Sequence, residues 1–278
     1  MPSYAASSVS PSMLLHGIDF TSAPCKRKGI TIASGRLEQD TFHLQSLTSL
    51  HDFDAFDAWL RQPGPWLGAF DFPFSFPREL VETLGWPTTW PQLIAHVTSL
   101  SREELRLTFK AFCDARPIGN KFAHRATDLP AGSSSPMKWV NPPVAYMLHA
   151  GTPRLIAAGL TVYTLHEGDP QRIALEAYPG LIARSITRAS YKSDDKAKQT
   201  LARQAARIQI VEALEQGRYK LGITLDAGSS RDRLIEDASG DWLDAVLCAL
   251  IAAWAWQRRD RNFGLPDFDP LEGWIAGA

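Results

Sequence analysis

MLLHGIDFTSAPCKRKGITIASGRLEQDTFHLQSLTSLHDFDAFDAWLRQPGPWLGAFDF, residues 13–72, decides the fold. Three apolar or alternating runs, Met13–Phe20, Gly29–Ala33 and Phe42–Leu47, are separated by Pro, Lys, Gly and Asp, and predict three consecutive strands in an antiparallel meander. His51–Arg61 then places Phe53, Phe56 and Leu60 at helical spacing. Pro63-Gly64-Pro65 stops that helix before a fourth strand, Trp66–Phe72, so the order is βββαβ.

Outward from this stretch the pattern changes. From Pro73 to about residue 140 it reads as an insertion on one side of the sheet, built of short Pro-punctuated helices such as Arg78–Leu84 and Arg102–Ala115 and closing in AGSSSP. Val144–Leu148 and Leu155–Leu160 are apolar and partly helical in pattern. Arg172–Ala177 predicts a fifth strand that ends at Tyr178-Pro179-Gly180. Asp194–Gln216 reads as a long amphipathic helix with Ala197, Leu201, Ala205, Ile208 and Val211 on its apolar stripe, and Asp241–Arg259 as a last helix, apolar nearly all round and packed on the sheet. The expected architecture is α/β: one domain over 13–278 with a mixed five-stranded sheet, helices on both faces, the helical insertion, and a flexible leader at 1–12.

Composition narrows the function classes. The chain has 278 residues, 45% of them hydrophobic, enough for a sizeable core. Twenty-nine basic against 30 acidic residues leave a net charge of −1, so no global field attracts nucleic acid or an anionic membrane, and any phosphate-binding surface must be local. Three cysteines without CxxC spacing fit a reducing cytoplasm. The first residues lack a basic segment followed by a long apolar one, and Trp242–Trp256 is broken by Asp244 and falls short of the roughly 20 residues that span a bilayer, so neither export nor a membrane is expected. No P-loop, GxGxxG, GxSxG or HExxH motif is present.

Five acids, Asp19, Asp71, Glu176, Asp241 and Asp244, each sit at the edge of an apolar run, where they can converge on one cleft. Asp19 and Asp71 follow LLHGI and WLGAF and precede polar or Pro-containing turns, positions that suit ligands of a shared divalent cation. Asp241 and Asp244 are three apart at the start of the last helix and point to one face. Hard cations such as Mg²⁺ or Mn²⁺ prefer oxygen ligands, and two of them about 4 Å apart activate water and stabilise the leaving oxygen in phosphodiester hydrolysis. Each acid also has a plainer reading. Asp241 fits an N-cap after Ser239-Gly240 with Asp244 supporting the helix dipole. Asp19 and Asp71 taken singly fit turn-forming aspartates, and Glu176 fits a stabilising pair with Arg172 or Lys192.

The βββαβ order, an acid on the first and on the fourth strand, and a DxxDA start to the last helix resemble the ribonuclease H-like superfamily in the arrangement used by Holliday-junction resolvases. More closely, GIDFTSAP at 17–24, GAFDFPFSFP at 68–77, ALEAYPG at 174–180, GDWLDAVLCALIAAW at 240–254 and EGWI at 272–275 resemble the family called domain of unknown function 429, over nearly the whole chain. That family is described as predicted nucleases on the ribonuclease H fold. The resemblance implies a Mg²⁺- or Mn²⁺-dependent nuclease with Asp19, Asp71 and Asp244 as metal ligands, Glu176 in a Glu-x-x-Pro element, and Asp241 as the first acid of the last helix. Resolvase-type members carry Glu on the fourth strand where this chain has the shorter Asp71.

Phosphate contacts are expected from Lys121, His124 and Arg125, concentrated in the insertion segment RPIGNKFAHRATD at 116–128, and from Lys192. Lys192, Lys196, Arg203 and Arg207 recur along one side of the long helix, where a solvated charged face is the plainer reading, and His124 is either a general acid or a polar loop residue. Of nine tryptophans, Trp66, Trp242, Trp254 and Trp256 fall in apolar runs and read as core, whereas Trp86, Trp90 and Trp139 stand where they can line a groove. The expected partner is nucleic acid or a small phosphorylated substrate, a net charge of −1 counting against a long duplex. The alternatives are a non-catalytic scaffold on the same fold, or a nucleotide-dependent phosphotransferase. Against the latter stand the missing glycine after Asp19 and the lack of a second such unit.

Overall fold

A computed structural model describes residues 13–278; the leader expected at 1–12 lies outside the described residues. Its seven strands are β1 (Leu14–Asp19), β2 (Ile30–Glu38), β3 (Thr41–Leu50), β4 (Trp66–Phe70), β5 (Leu160–Val162), β6 (Asp169–Glu176) and β7 (Thr224–Asp226), in the sheet order β5-β6-β4-β1-β2-β3-β7. The five strands read from sequence form the contiguous centre, with β1, β2 and β3 antiparallel in turn and β4 and β6 parallel to β1. Two strands go beyond the expected five. β5 and β7 have three residues each, too few to show a period-2 pattern, and extend opposite edges of the sheet.

The alternation of side chains along β1 and β4 sorts the core into two halves. Leu15, Ala33, Leu67 and Ala69 face α7 (Pro179–Ile186), α8 (Leu201–Glu215), α9 (Arg231–Glu236) and α10 (Asp241–Gln257). Ile18, Ile32 and Phe70 face the other way, toward α1 (Phe53–Leu60), α2 (Arg78–Thr83), α3 (Trp90–Ser99), α4 (Arg102–Asp114) and, beyond the one-turn α5 (Asp128–Ala131), α6 (Val144–Ala157). The insertion packs on this second face, with Phe74, Phe76, Trp90 and Phe109 buried against it, so Trp90 belongs to the core rather than to a groove. No helix among the described residues is long and apolar enough to cross a membrane.

Local chemistry sets the helix limits. Asp52 accepts the Ala55 N–H at 2.7 Å to start α1, and Ser101 with Glu104 forms a capping box for α4. The long helix expected from Asp194 begins only at Leu201, because Asp195 caps a single 3₁₀ turn at Lys196–Lys198 and Thr200 caps α8. Its buried stripe is Ala206, Arg207, Ile210, Val211 and Leu214, whereas Leu201 is 84% exposed. Of the expected stripe, Ala197 lies outside α8 and Leu201, Ala205 and Ile208 lie on its exposed side, while Val211 is buried.

The segment 271–276 stitches the insertion to β6. The Ile275 N–H donates to Thr127 Oγ1 at 3.0 Å and the Ala276 N–H to the Glu176 carbonyl at 2.9 Å. The Glu272 carboxylate accepts the backbone N–H groups of Arg78 (2.8 Å) and Ala126 (2.9 Å).

Candidate functional site

The C-terminal ends of β1 and β4 lie side by side. The Asp71 N–H donates to the Ile18 carbonyl at 2.8 Å, continuing the parallel register that pairs Ile18 with Phe70, so Asp19 and Asp71 are neighbours on the face of Gly17 and Ala69. Gly17 then decides what covers that face. A Cβ there would lie 2.0 Å from Ala245 O and Ala249 N, so only glycine lets the α10 backbone rest on β1. This close approach carries Asp244, on the first turn of α10, over the strand ends, with Asp241 one turn before it.

Capping is not the task of these two acids. Gly240 occupies the cap position at φ 78°, and the carboxylate of Asp237 accepts the N–H groups of Trp242 (3.1 Å) and Ser239 (3.0 Å). Asp244 is fully buried: the Tyr191 hydroxyl donates to its Oδ1 at 2.5 Å and the Lys192 ammonium to its Oδ2. Lys28 reaches Asp241 at 3.5 Å and Asp194 at 2.9 Å. Lys192 is held in place by its own loop. Buried Arg207 donates to the carbonyls of Tyr191 (2.7 Å) and Ile235 (2.7 Å), Arg203 donates to the Lys192 carbonyl, and Gly240 leaves room for the Lys192 stem, which a Cβ would meet at 2.7 Å.

The charges are crowded. Burial, and then repulsion by Asp244, Asp241 and Asp71, holds the Asp19 carboxyl well above its usual range despite the pull of Lys192. Burial pushes Asp71 up to about 7, with Asp244 and Glu176 adding repulsion and Lys192 opposing. Asp241 is raised as well, chiefly by burial, with Lys28 opposing. Burial works against the Lys192 charge, but attraction to Asp244, Tyr191 and Asp19 wins and keeps its ammonium well above the usual range. Beneath the acids, burial pushes the Cys248 thiol far up, with Asp71 and Asp244 adding repulsion, which leaves it unreactive.

Among the described residues no group of three or more His, Cys, Asp or Glu side chains is arranged to hold a metal ion as it stands. The donor set nonetheless fits a hard divalent cation. Asp19, Asp71 and Asp244 are carboxylates forced together against their mutual repulsion, and the one ammonium seated on Asp244 marks where positive charge is favoured.

Of the other expected site residues, Glu176, Arg125 and Lys192 line one cleft with Asp71 but hold different partners from those expected. Glu176 pairs with Phe70 in the β4–β6 register, so its side chain takes the face opposite Asp71. There it is 4% exposed and bound by neither Arg172 nor Lys192 but by Arg125, whose Nη2 reaches Oε1 at 2.6 Å and Nη1 reaches Oε2 at 2.8 Å. Arg125 is itself 2% exposed and also holds Asp128 at 2.9 Å, so its charge is spent inside the protein and it does not offer itself to phosphate as the insertion loop suggested. Lys121 and His124 are exposed and do not line the cleft beside Asp71. Lys192 does reach the acids, but from a loop rather than from a helix face.

That cleft has a volume of about 450 Å³. Asp71, Tyr191, Lys192, Arg184, Arg188 and, from α6, Val144 and Met147 are among the residues that line it. Tyr191, Lys28 and Arg188 escaped the sequence reading because each sits in a polar loop with no spacing motif. No protein-family model, curated protein or solved structure matches the chain.

Proposed function

We propose that the protein is a divalent-metal-dependent phosphodiesterase of the ribonuclease H-like kind, related to the domain of unknown function 429 family. One observation carries this reading: Asp19 and Asp71 end neighbouring parallel strands on the face that α10 covers, and Asp244 meets them from its first turn beside an open cleft. The meander β1–β3 followed by parallel β4 and β6 supports the fold assignment.

Asp19, Asp71 and Asp244 would hold Mg²⁺ or Mn²⁺, which supplies activation of water and stabilisation of the departing oxygen. The protein contributes position and charge. Tyr191 fixes one oxygen of Asp244 by a hydrogen bond, Lys192 balances part of the negative charge until an ion enters, and Glu176 acts on Asp71 through repulsion from the opposite face. Asp241, paired with Lys28, flanks the trio. The alternative, a non-catalytic scaffold, is favoured by the Lys192–Asp244 pair, which satisfies the buried carboxylate without any ion.

Mn²⁺-dependent cleavage of single-stranded, duplex and branched DNA and RNA, measured for wild type, Asp19→Asn and Asp71→Asn, tests the proposal. Cleavage lost in both variants is expected. No cleavage by the wild type together with no calorimetric Mn²⁺ binding leaves the scaffold.

A further inference from the structure

The cleft beside Asp71 differs from a nucleic-acid track in its charge as much as in its size. Duplex binders place roughly six to ten cations on phosphates. Here most cations near the acids are already used. Arg125 is locked between Glu176 and Asp128, Arg184 donates to the Gly132 carbonyl and the Tyr178 hydroxyl, and Lys192 sits on Asp244. Arg188, exposed at the cleft, has neither an ion pair nor a hydrogen bond among the described residues. Ser134 and Ser190 accompany it on the lining, and Val144 and Met147 contribute apolar side chains to it.

A second group of arginines does not extend this track. Arg258 and Arg259 lie beyond the far end of α10, about 25 Å from Asp241 at 1.5 Å per residue. They fold back onto the rings of Trp254 and Trp256 and onto the carbonyls of the same residues, at 3.0 Å each.

A volume of about 450 Å³ falls in the range of small-molecule sites, about 300–1,000 Å³. One anionic group against one free guanidinium and an organic body against an aliphatic wall describe an amphiphilic ligand about the size of one nucleotide. We propose that the cleft takes a small phosphodiester, such as a nucleotidyl ester, with its phosphate on Arg188 and its base or other organic group against Val144 and Met147. The inference rests on the phosphodiesterase reading of the acids. Hydrolysis there adds water across one P–O bond: the hydroxide oxygen joins phosphorus, the ester bond breaks, and the departing alkoxide takes the remaining proton, giving a phosphomonoester and an alcohol.

Two measurements on the full chain test it. The first compares Mn²⁺-dependent turnover of thymidine 5′-(4-nitrophenyl) phosphate with cleavage of single-stranded and duplex DNA, for wild type and Arg188→Ala. The expected result is a higher kcat/KM on the small ester than on either polymer, and a KM for it raised about tenfold by Arg188→Ala, the loss of one charge-assisted hydrogen bond. Faster cleavage of polymer, or an unchanged KM, overturns the inference and leaves the phosphodiesterase reading standing. The second is calorimetric titration of thymidine 5′-monophosphate without metal. Binding by wild type that is weakened about tenfold in Arg188→Ala supports the small-ligand site even if no ester is cleaved, in which case only the catalytic reading falls. No binding and no turnover overturns both.

Discussion

Asp71 holds its proton more tightly when folded than when unfolded. Between roughly pH 4 and its folded value of about 7, the unfolded chain has released a proton that the native chain keeps, so stability falls as pH rises through that window. The groups around it are Asp244, Glu176 and Lys192, with Asp19 beside it on β1. Asp71→Asn removes the titrating group. Thermal melts of metal-free protein should show wild type losing stability from pH 5 to pH 8 relative to this variant, which ends up more stable at pH 8 by on the order of 1–3 kcal/mol. Parallel pH profiles would remove Asp71 as the source. Lys192 gives the complementary test. Lys192→Met leaves the buried Asp244 carboxylate with only the Tyr191 hydroxyl, and because Lys192 is itself partly exposed the expected loss in the absence of metal is about 1–3 kcal/mol. Mn²⁺ should raise the melting temperature of this variant more than that of wild type, and equal increments would mean that the ammonium and the ion do not share a place. That Asp19, Asp71 and Asp244 come together was legible in position alone, since Asp19 and Asp71 end apolar runs and Asp244 opens the last helix. Position misjudged Arg125, whose polar loop gave no sign that the guanidinium turns inward.

At the scale of elements, the junction of β1 with α10 brings Asp244 to Asp19 and Asp71. Gly17→Ala would drive a Cβ into two α10 backbone atoms, so a loss of at least about 3 kcal/mol is expected, seen as a midpoint shift in urea. A shift below about 1 kcal/mol would show that the helix can retreat freely. Asp237→Ala should cost about 1 kcal/mol through loss of the cap while leaving the acids in place. The strands with clear alternation and the helices with strong caps were legible in the sequence. The phase of α8 was not, since its buried face carries Arg207, a charged residue that pattern reading assigns to solvent. Glu176 was misplaced for a similar reason. The sequence shows a strand-ending acid, but only the pairing of Glu176 with Phe70 reveals which face it takes.

For the whole molecule, the ion triad Asp128–Arg125–Glu176 clasps the insertion to the sheet and leaves the cleft between them. Arg125→Met strands two buried carboxylates, and limited proteolysis should then cut within residues 116–142 at protease levels that spare wild type. Adding Glu176→Gln should restore part of the resistance. Unchanged digestion in the single variant would show that the stitching by residues 271–276 suffices alone. The pairing of Asp19 from the first strand with Asp244 from the last helix has one more consequence. During synthesis β1 emerges before the other described strands and α10 follows every other helix named above, so a nascent chain stalled before α10 carries two of the three carboxylates on an uncovered apolar floor. A chain cut short before α10 therefore lacks Asp244, leaves the apolar faces of β1 and β4 bare, and cannot assemble the proposed trio of acids.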